Sequence, residues 1–120
     1  MQEHDIHKRI YNFVIRVINL IKILPKTPEN IIIIKQITRS ATSIGANDRE
    51  ADGTNTKKDF INKYSIVRKE AKETDYWLNL IADTNPKFGP RMKDLINEGS
   101  EIIKIVSTII YNTQNNKTTK

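Results

Sequence analysis

The stretch DIHKRIYNFVIRVINLIKIL, residues 5–24, decides the fold, because its apolar residues recur with a helical period. The steps between them alternate between four and three residues, which places them on one face of a helix. Additional apolar residues widen this face, as is typical of a helix that packs against two or more neighbours. The face consists of Ile6, Ile10, Phe13, Val17, Leu20 and Leu24, widened by Tyr11, Val14, Ile18 and Ile21.

Three further segments show the same period. The second helix is predicted to begin near Pro28 and to end at the turn residues 52–55, since proline is tolerated in a first turn. The third begins after Thr56, in a capping box with Asp59, and runs to about Thr84. The fourth runs from about Pro90 to Tyr111. The predicted inward residues of the second helix are Ile33, Ile37, Ser40 or Ala41, Ile44 and Ala51. Those of the third are Phe60, Tyr64, Val67, Ala71, Thr74, Leu78 and Ile81. Those of the fourth are Met92, Leu95, Ile96, Ile102, Ile103, Val106, Ile109 and Ile110.

Four long helices joined by short connections favour an all-α, antiparallel up-down-up-down four-helix bundle. The run Ile31–Ile34 is also compatible with a strand, but no alternating segment exists to pair with it. We expect one domain over residues 1–111, followed by a disordered polar tail over residues 112–120.

Composition excludes several classes of protein. The chain of 120 residues has no cysteine, which rules out disulfide scaffolds, cysteine-ligated zinc and thiol nucleophiles. Its longest apolar run, Ile31–Ile34, is far shorter than a membrane span, and its polar first residues, MQEHD, predict no signal peptide. A cytoplasmic chain without membrane contact is expected. The net charge of +6 makes it basic.

The third helix carries a second stripe beside its core face. It lies roughly 100° to 160° around the helix from the core residues. This flank is compatible with a wide core edge or with a subunit interface, where aromatic residues are enriched. The oligomer interface candidates are Ile66, Glu70, Glu73, Trp77 and Leu80.

Two carboxylates within an apolar flank need partners, because a buried unpaired charge is costly. On the second helix, Arg39, Asn47 and Glu50 are candidates for such a polar seam. A carboxylate metal site is disfavoured, since a di-iron bundle needs a Glu-x-x-His motif on two helices. The two histidines, His4 and His7, stand at the start of the chain, where we expect them to be solvated.

A basic strip runs along the opposite face of the third helix. It is formed by Lys58, Asn62, Ser65, Lys69 and Lys72. Residues 57–72 contain six basic and two acidic side chains, a local charge of +4. Such a face is either ordinary solvated surface or a surface for nucleic-acid phosphates, which requires clustered positive charge and no base-reading motif. The nucleic-acid contact candidates are Lys58, Lys63, Lys69 and Lys72.

No catalytic motif is present. The chain has no phosphate-binding glycine loop, no zinc-protease motif and no nucleophile elbow. We therefore predict no enzymatic activity, no cofactor and no metal.

Two segments resemble the signatures of the family called four helix bundle proteins. The first is QITRSATSIGAN, residues 36–47, followed by REA, residues 49–51. The second is KDFI, residues 58–61, with Lys63, SI at 65–66, KEA at 69–71, Glu73, and YWL at 76–78. Members of this family were first noticed in intervening sequences of bacterial 23S ribosomal RNA genes and were once labelled ribosomal-protein-like. The resemblance covers nearly the whole chain apart from the tail.

The resemblance implies an up-down bundle that assembles into a homopentamer. It implies that Arg39, Asn47, Glu50, Glu70 and Glu73 form a structural polar seam beside close-packing small residues, namely Ser40, Ser43, Gly45 and Ala46. Asp48 departs from the family pattern, in which an apolar residue or Tyr is common. The family is also similar to the accessory protein of diversity-generating retroelements, a basic pentamer that binds nucleic acid and a reverse transcriptase.

Two functions remain open at the level of sequence. The leading hypothesis is a non-enzymatic homo-oligomer that associates with RNA or DNA through its basic surface, with a reverse transcriptase as a further partner. The alternative is a protein-interaction scaffold with no nucleic-acid role, in which the charge only aids solubility.

Overall fold

The computed structural model describes residues 3–115, with side chains from residue 6 onward. It contains four helices, α1 (Glu3–Ile23), α2 (Pro28–Ala51), α3 (Lys57–Thr84) and α4 (Gly89–Gln114). Connections of four or five residues join them, so consecutive helices run antiparallel. α1 and α3 each pack against both α2 and α4, which closes the four helices into a bundle 47 Å long. The predicted all-α architecture is confirmed.

Threonine residues cap the N-termini of α2 and α3, at the positions where the sequence predicts these helices to begin. The hydroxyl of Thr27 accepts a hydrogen bond from the backbone N–H of Asn30 at 3.2 Å, with Pro28 in the first turn. Thr56 accepts from the backbone N–H of Asp59 at 3.0 Å. Each cap satisfies one of the N–H groups that a helix start leaves without a partner. The run Ile31–Ile34 lies within α2, so the alternative that this run forms a strand is ruled out.

The core follows the predicted stripes. All six residues of the first apolar face are buried, and so are the predicted inward residues of α2. Phe60 is half-buried at the end of the α3 stripe, where its ring stacks on Tyr64 at 4.7 Å. Tyr11, which the sequence suggested as part of the widened face, is exposed.

Gly99 of α4 is a core position that the periodicity of apolar residues did not reveal. A Cβ built at Gly99 would lie 3.1 Å from Cζ of Phe13, which is closer than an ordinary van der Waals contact. α1 and α4 therefore pack together at the point where the ring of Phe13 lies against Gly99, which has no side chain.

α4 continues beyond the predicted end at Tyr111. Residues 112–114, expected to belong to a disordered tail, form the last turn of the helix. Polar side chains stabilise this turn: the Thr113 hydroxyl donates to the carbonyl of Ile109 at 2.7 Å, and the Asn115 amide donates to that of Tyr111 at 2.7 Å. The rest of the predicted tail, residues 116–120, lies outside the described residues.

None of the helices in the described part of the chain has the length and apolar character that crossing a bilayer requires.

Candidate functional site

Arg39 joins α2 to α3 through two carboxylates. Its Nη1 donates to Oε1 of Glu70 at 3.2 Å, and its Nη2 donates to Oε2 of Glu73. The indole N–H of Trp77 donates to the same Glu73 oxygen at 3.0 Å. We call these four residues the arginine clasp. The structure thus places Arg39 against both of the carboxylates considered for it in the sequence.

The clasp lies at the boundary between the core and solvent. Glu70 is only 8% exposed, whereas half of the Arg39 side chain remains accessible. The hydrogen bond from Arg39, followed by the one from Trp77, lowers the pKa of Glu73 below its ordinary value of 4.5. The same hydrogen bond to Glu73 raises the pKa of Arg39. Both groups are therefore charged at neutral pH, and the clasp is an ion pair reinforced by an indole donor.

The other two seam candidates have separate partners. The side-chain amide of Asn47 donates to the carbonyl of Ser43 at 2.9 Å, within α2. Glu50 accepts from Nζ of Lys63 at 2.6 Å, across α2 and α3. The predicted seam is therefore divided into local contacts, and Lys63, a nucleic-acid contact candidate, already faces a carboxylate.

Packing against the core of the bundle explains part of the stripe on α3 that was predicted as an oligomer interface. Trp77 and Leu80 are half-buried and pack against the bundle core, as a wide core edge requires. Ile66 is 36% exposed at the other end of the stripe. On α2, Ile32 lies two turns before Arg39 on the same helix face and is 64% exposed. One exposed isoleucine thus remains on each side of the clasp.

The basic strip faces solvent along α3. Lys58, Lys69 and Lys72 are exposed, as is Asn62, and Ser65 is half-buried. The strip continues by one turn to Tyr76, which the charge pattern of the sequence did not include in it. Tyr76 is 59% exposed and meets Trp77 edge to face, with ring centroids 4.9 Å apart.

A buried polar cluster joins three helices, and the sequence patterns did not predict it. Asp48 is 5% exposed, and its Oδ1 accepts a hydrogen bond from the Tyr64 hydroxyl at 2.5 Å. Nδ1 of His7 lies 2.9 Å from Oδ1 and 3.0 Å from Oδ2 of the same carboxylate. The expectation of a solvated His7 is met only in part, because the side chain is 38% exposed but α1 places its Nδ1 against Asp48 of α2. The His4 side chain lies outside the described residues.

The cluster has the arrangement of a structural contact. Tyr64 is 1% exposed, so its hydroxyl has no access to a substrate. The signal in the sequence was Asp48 itself, which falls four residues after the core residue Ile44, on the buried face of its helix. A carboxylate at such a position requires hydrogen-bond donors from neighbouring helices.

No group of three or more metal-binding side chains is assembled anywhere in the described part of the chain.

The fold and the clasp define a small helical bundle protein whose second and third helices are joined by an ion pair. The sequence profile of the family described as 23S rRNA-intervening sequence protein matches residues 2–108, and the chain belongs to this family. The resemblance drawn from the two signatures is confirmed.

A solved structure supports the same assignment. The chain is similar to a protein of unknown function from the S23 ribosomal protein family of Bacteroides thetaiotaomicron, with 39% identity and a TM-score of 0.83. The alignment covers 92% of this chain and 99% of the other. No curated protein matches the chain.

Proposed function

We propose that this protein is a non-enzymatic homo-oligomeric bundle, a pentamer, that binds RNA or DNA through its basic strip. The observation that carries the proposal is the exposure of Lys58, Lys69 and Lys72 along a single face of α3. Lysines that neutralise phosphates release counterions from the nucleic acid, and this release drives binding that does not depend on base sequence.

Lys69 and Lys72 lie together in the C-terminal half of the strip. They lie three residues apart, which places them on adjacent turns of one helix face. Asn62 and Ser65 on the same strip are neutral hydrogen-bond donors, and such side chains also bind phosphate oxygens. Lys63 faces Glu50 and is therefore a weaker candidate than the other three lysines.

Assembly multiplies this charge. One subunit carries +6, so five subunits carry +30 (5 × 6). A ring would repeat the strip five times, and weak binding of each strip to one polyanion would then add through avidity.

Two exposed apolar surfaces support assembly into a ring. A cyclic oligomer larger than a dimer needs two different surfaces on each subunit, which meet head to tail. Ile32 and Ile66 flank the clasp on the α2–α3 side, while Tyr11 and Ile15 are exposed on α1. We infer that these residues belong to the two surfaces, because a contiguous exposed apolar patch on a small protein is typical of an interaction site.

A direct binding measurement tests the proposal. Fluorescence anisotropy compares wild type with the triple variant Lys58→Gln, Lys69→Gln, Lys72→Gln, using mixed-sequence RNA and DNA. The family description names 23S rRNA, so a fragment of 23S rRNA is a third probe. The matched control changes three exposed lysines on other helices, Lys35, Lys93 and Lys104, to Gln.

Both triple variants remove the same charge, so a difference between them reports the position of the lysines. We expect weaker binding to every probe for the strip variant and a much smaller decrease for the control. Equal binding by the two variants would contradict the proposal. Negligible binding by wild type at physiological salt would favour the protein-interaction scaffold, with a reverse transcriptase among the partners to test.

A further inference from the structure

We propose that Tyr76 stacks on an unpaired base, so that the basic strip takes single-stranded nucleic acid in preference to a duplex. The inference rests on the proposed function, because it concerns the ligand of the same surface. It follows from the position of Tyr76 at one end of the strip and from the exposure of its ring.

Tyr76 and the lysines are aligned along α3. Tyr76 comes four residues after Lys72 and seven after Lys69, which are the spacings of one helix face. With a rise of about 1.5 Å per residue, Lys58 and Tyr76 are about 27 Å apart along the axis. The strip therefore presents an extended line of positive charge that ends in an aromatic ring.

The ring of Tyr76 is held in place and remains accessible. Trp77 meets it edge to face, with an interplanar angle of 71°. The arginine clasp fixes the indole in turn, because Trp77 donates its N–H to Glu73. A supported ring gives up less conformational freedom on binding than a mobile one, which favours stacking.

The combination of charge and aromatic ring selects single strands. Unpaired bases stack on aromatic side chains while a positively charged groove or strip follows the backbone, and this mode tolerates any base. In a duplex the faces of the bases are covered by their neighbours, so a tyrosine beside the backbone has no base to stack on. The three lysines attract both forms, whereas Tyr76 contributes only to binding of the single-stranded one.

The test compares labelled single strands of RNA and DNA with the duplexes of the same sequence. The variants are Tyr76→Ala, Tyr76→Phe and the strip triple variant in which Lys58, Lys69 and Lys72 become Gln. Tyr111→Ala is the matched control, since Tyr111 is 62% exposed and belongs to α4, not to the helix that carries the strip. Far-ultraviolet circular dichroism verifies that each variant keeps the helical fold.

We expect Tyr76→Ala to weaken single-strand binding by about 5- to 140-fold, the range typical of the removal of one stacked base. Tyr76→Phe should retain wild-type affinity, because the ring does the stacking. The Tyr111→Ala variant should bind single strands and duplexes with wild-type affinity. The Tyr76→Ala variant should bind duplexes with wild-type affinity.

The outcomes separate this inference from the proposed function. If the strip variant fails to bind while Tyr76→Ala binds single strands like wild type, the lysines bind phosphates and the stacking inference is overturned. If Tyr76→Ala binds single strands and duplexes with equally reduced affinity, Tyr76 does not select between them and the inference is also overturned. If wild type binds no probe, both proposals fail.

Discussion

Tyr64 donates its hydroxyl to the buried carboxylate of Asp48 across 2.5 Å, which ties α3 to α2 inside the bundle. His7 reaches the same carboxylate from α1, so one acidic side chain connects three of the four helices. A buried polar network makes a core rigid and specific when all of its members are hydrogen-bonded, whereas a buried polar group without a partner is costly. We therefore expect the loss of a partner of Asp48 to destabilise the bundle.

Replacing Tyr64 with Phe should destabilise the fold by about 1–3 kcal/mol, because Asp48, which is only 5% exposed, then loses a hydrogen-bond donor. The measurement is the midpoint of urea unfolding followed by circular dichroism. Tyr111→Phe removes an exposed hydroxyl and serves as the control, for which we expect no change. An unchanged midpoint for Tyr64→Phe would show that the hydrogen bond to Asp48 does not stabilise the bundle.

Gly99→Ala should also destabilise the protein. The new Cβ would press on Phe13, and overpacking of this kind costs about 1–3 kcal/mol. Alanine is the better helix former by about 1 kcal/mol, which offsets part of this cost. Adding Phe13→Leu to Gly99→Ala should relieve the overlap, so the double variant should be less destabilised than the sum of the two single changes. Simple additivity of the two changes would contradict the assigned packing of Gly99 on Phe13.

The arginine clasp predicts that the stability of the fold depends on pH in the acidic range. The pKa of Glu73 is lower in the folded state than its ordinary value of 4.5, so its ion pair contributes stability above that pH. The contribution disappears as pH falls from about 4.5 through the lowered pKa of the folded state. Glu73→Gln removes the titrating group while keeping a side chain of the same size. We expect the stability difference between wild type and Glu73→Gln to shrink across this acidic range in urea titrations. A constant difference from neutral pH downward would rule out the ion pair as its source.

The exposed apolar surface beside the clasp predicts self-association. Sedimentation velocity should give a wild-type species of about 70 kDa, five times the subunit mass of 13.9 kDa. Ile66→Asp places a charge on the α3 part of this surface and should shift the protein to a smaller species. Ser100→Asp, an exposed change on α4, should leave the mass unchanged. A wild-type species of 13.9 kDa at micromolar concentration would contradict the pentamer.

Local patterns in the sequence were sufficient to predict the helices and the core. The steps of three and four residues place Phe13, Ile37 and Val67 inside the bundle, and all three are buried. The same reasoning predicted that Glu70 needs a partner on the second helix and left Arg39, Asn47 and Glu50 as candidates, of which the structure shows Arg39. Both predictions depend only on helix geometry and on the cost of burying a charge.

Other features of the packing between helices could not be predicted in this way. His7 and Asp48 are separated by 41 residues, and their pairing depends on how α1 is rotated against α2. Gly99 was missed because a position without a side chain contributes nothing to an apolar period. Tyr76 is not a basic residue, so a pattern of lysines alone does not assign it to the basic strip.

The salt dependence of nucleic-acid binding reports directly whether the lysines of the basic strip bind phosphates. Anisotropy titrations at several salt concentrations give the slope of log affinity against log salt for wild type, the strip triple variant and the control triple variant. We expect that replacing Lys58, Lys69 and Lys72 reduces the magnitude of the slope by about 0.7–0.9 for each phosphate that is no longer neutralised. We expect a smaller change for the control at Lys35, Lys93 and Lys104. Identical slopes for wild type and the strip variant would show that these lysines do not bind phosphates and would contradict the proposed function.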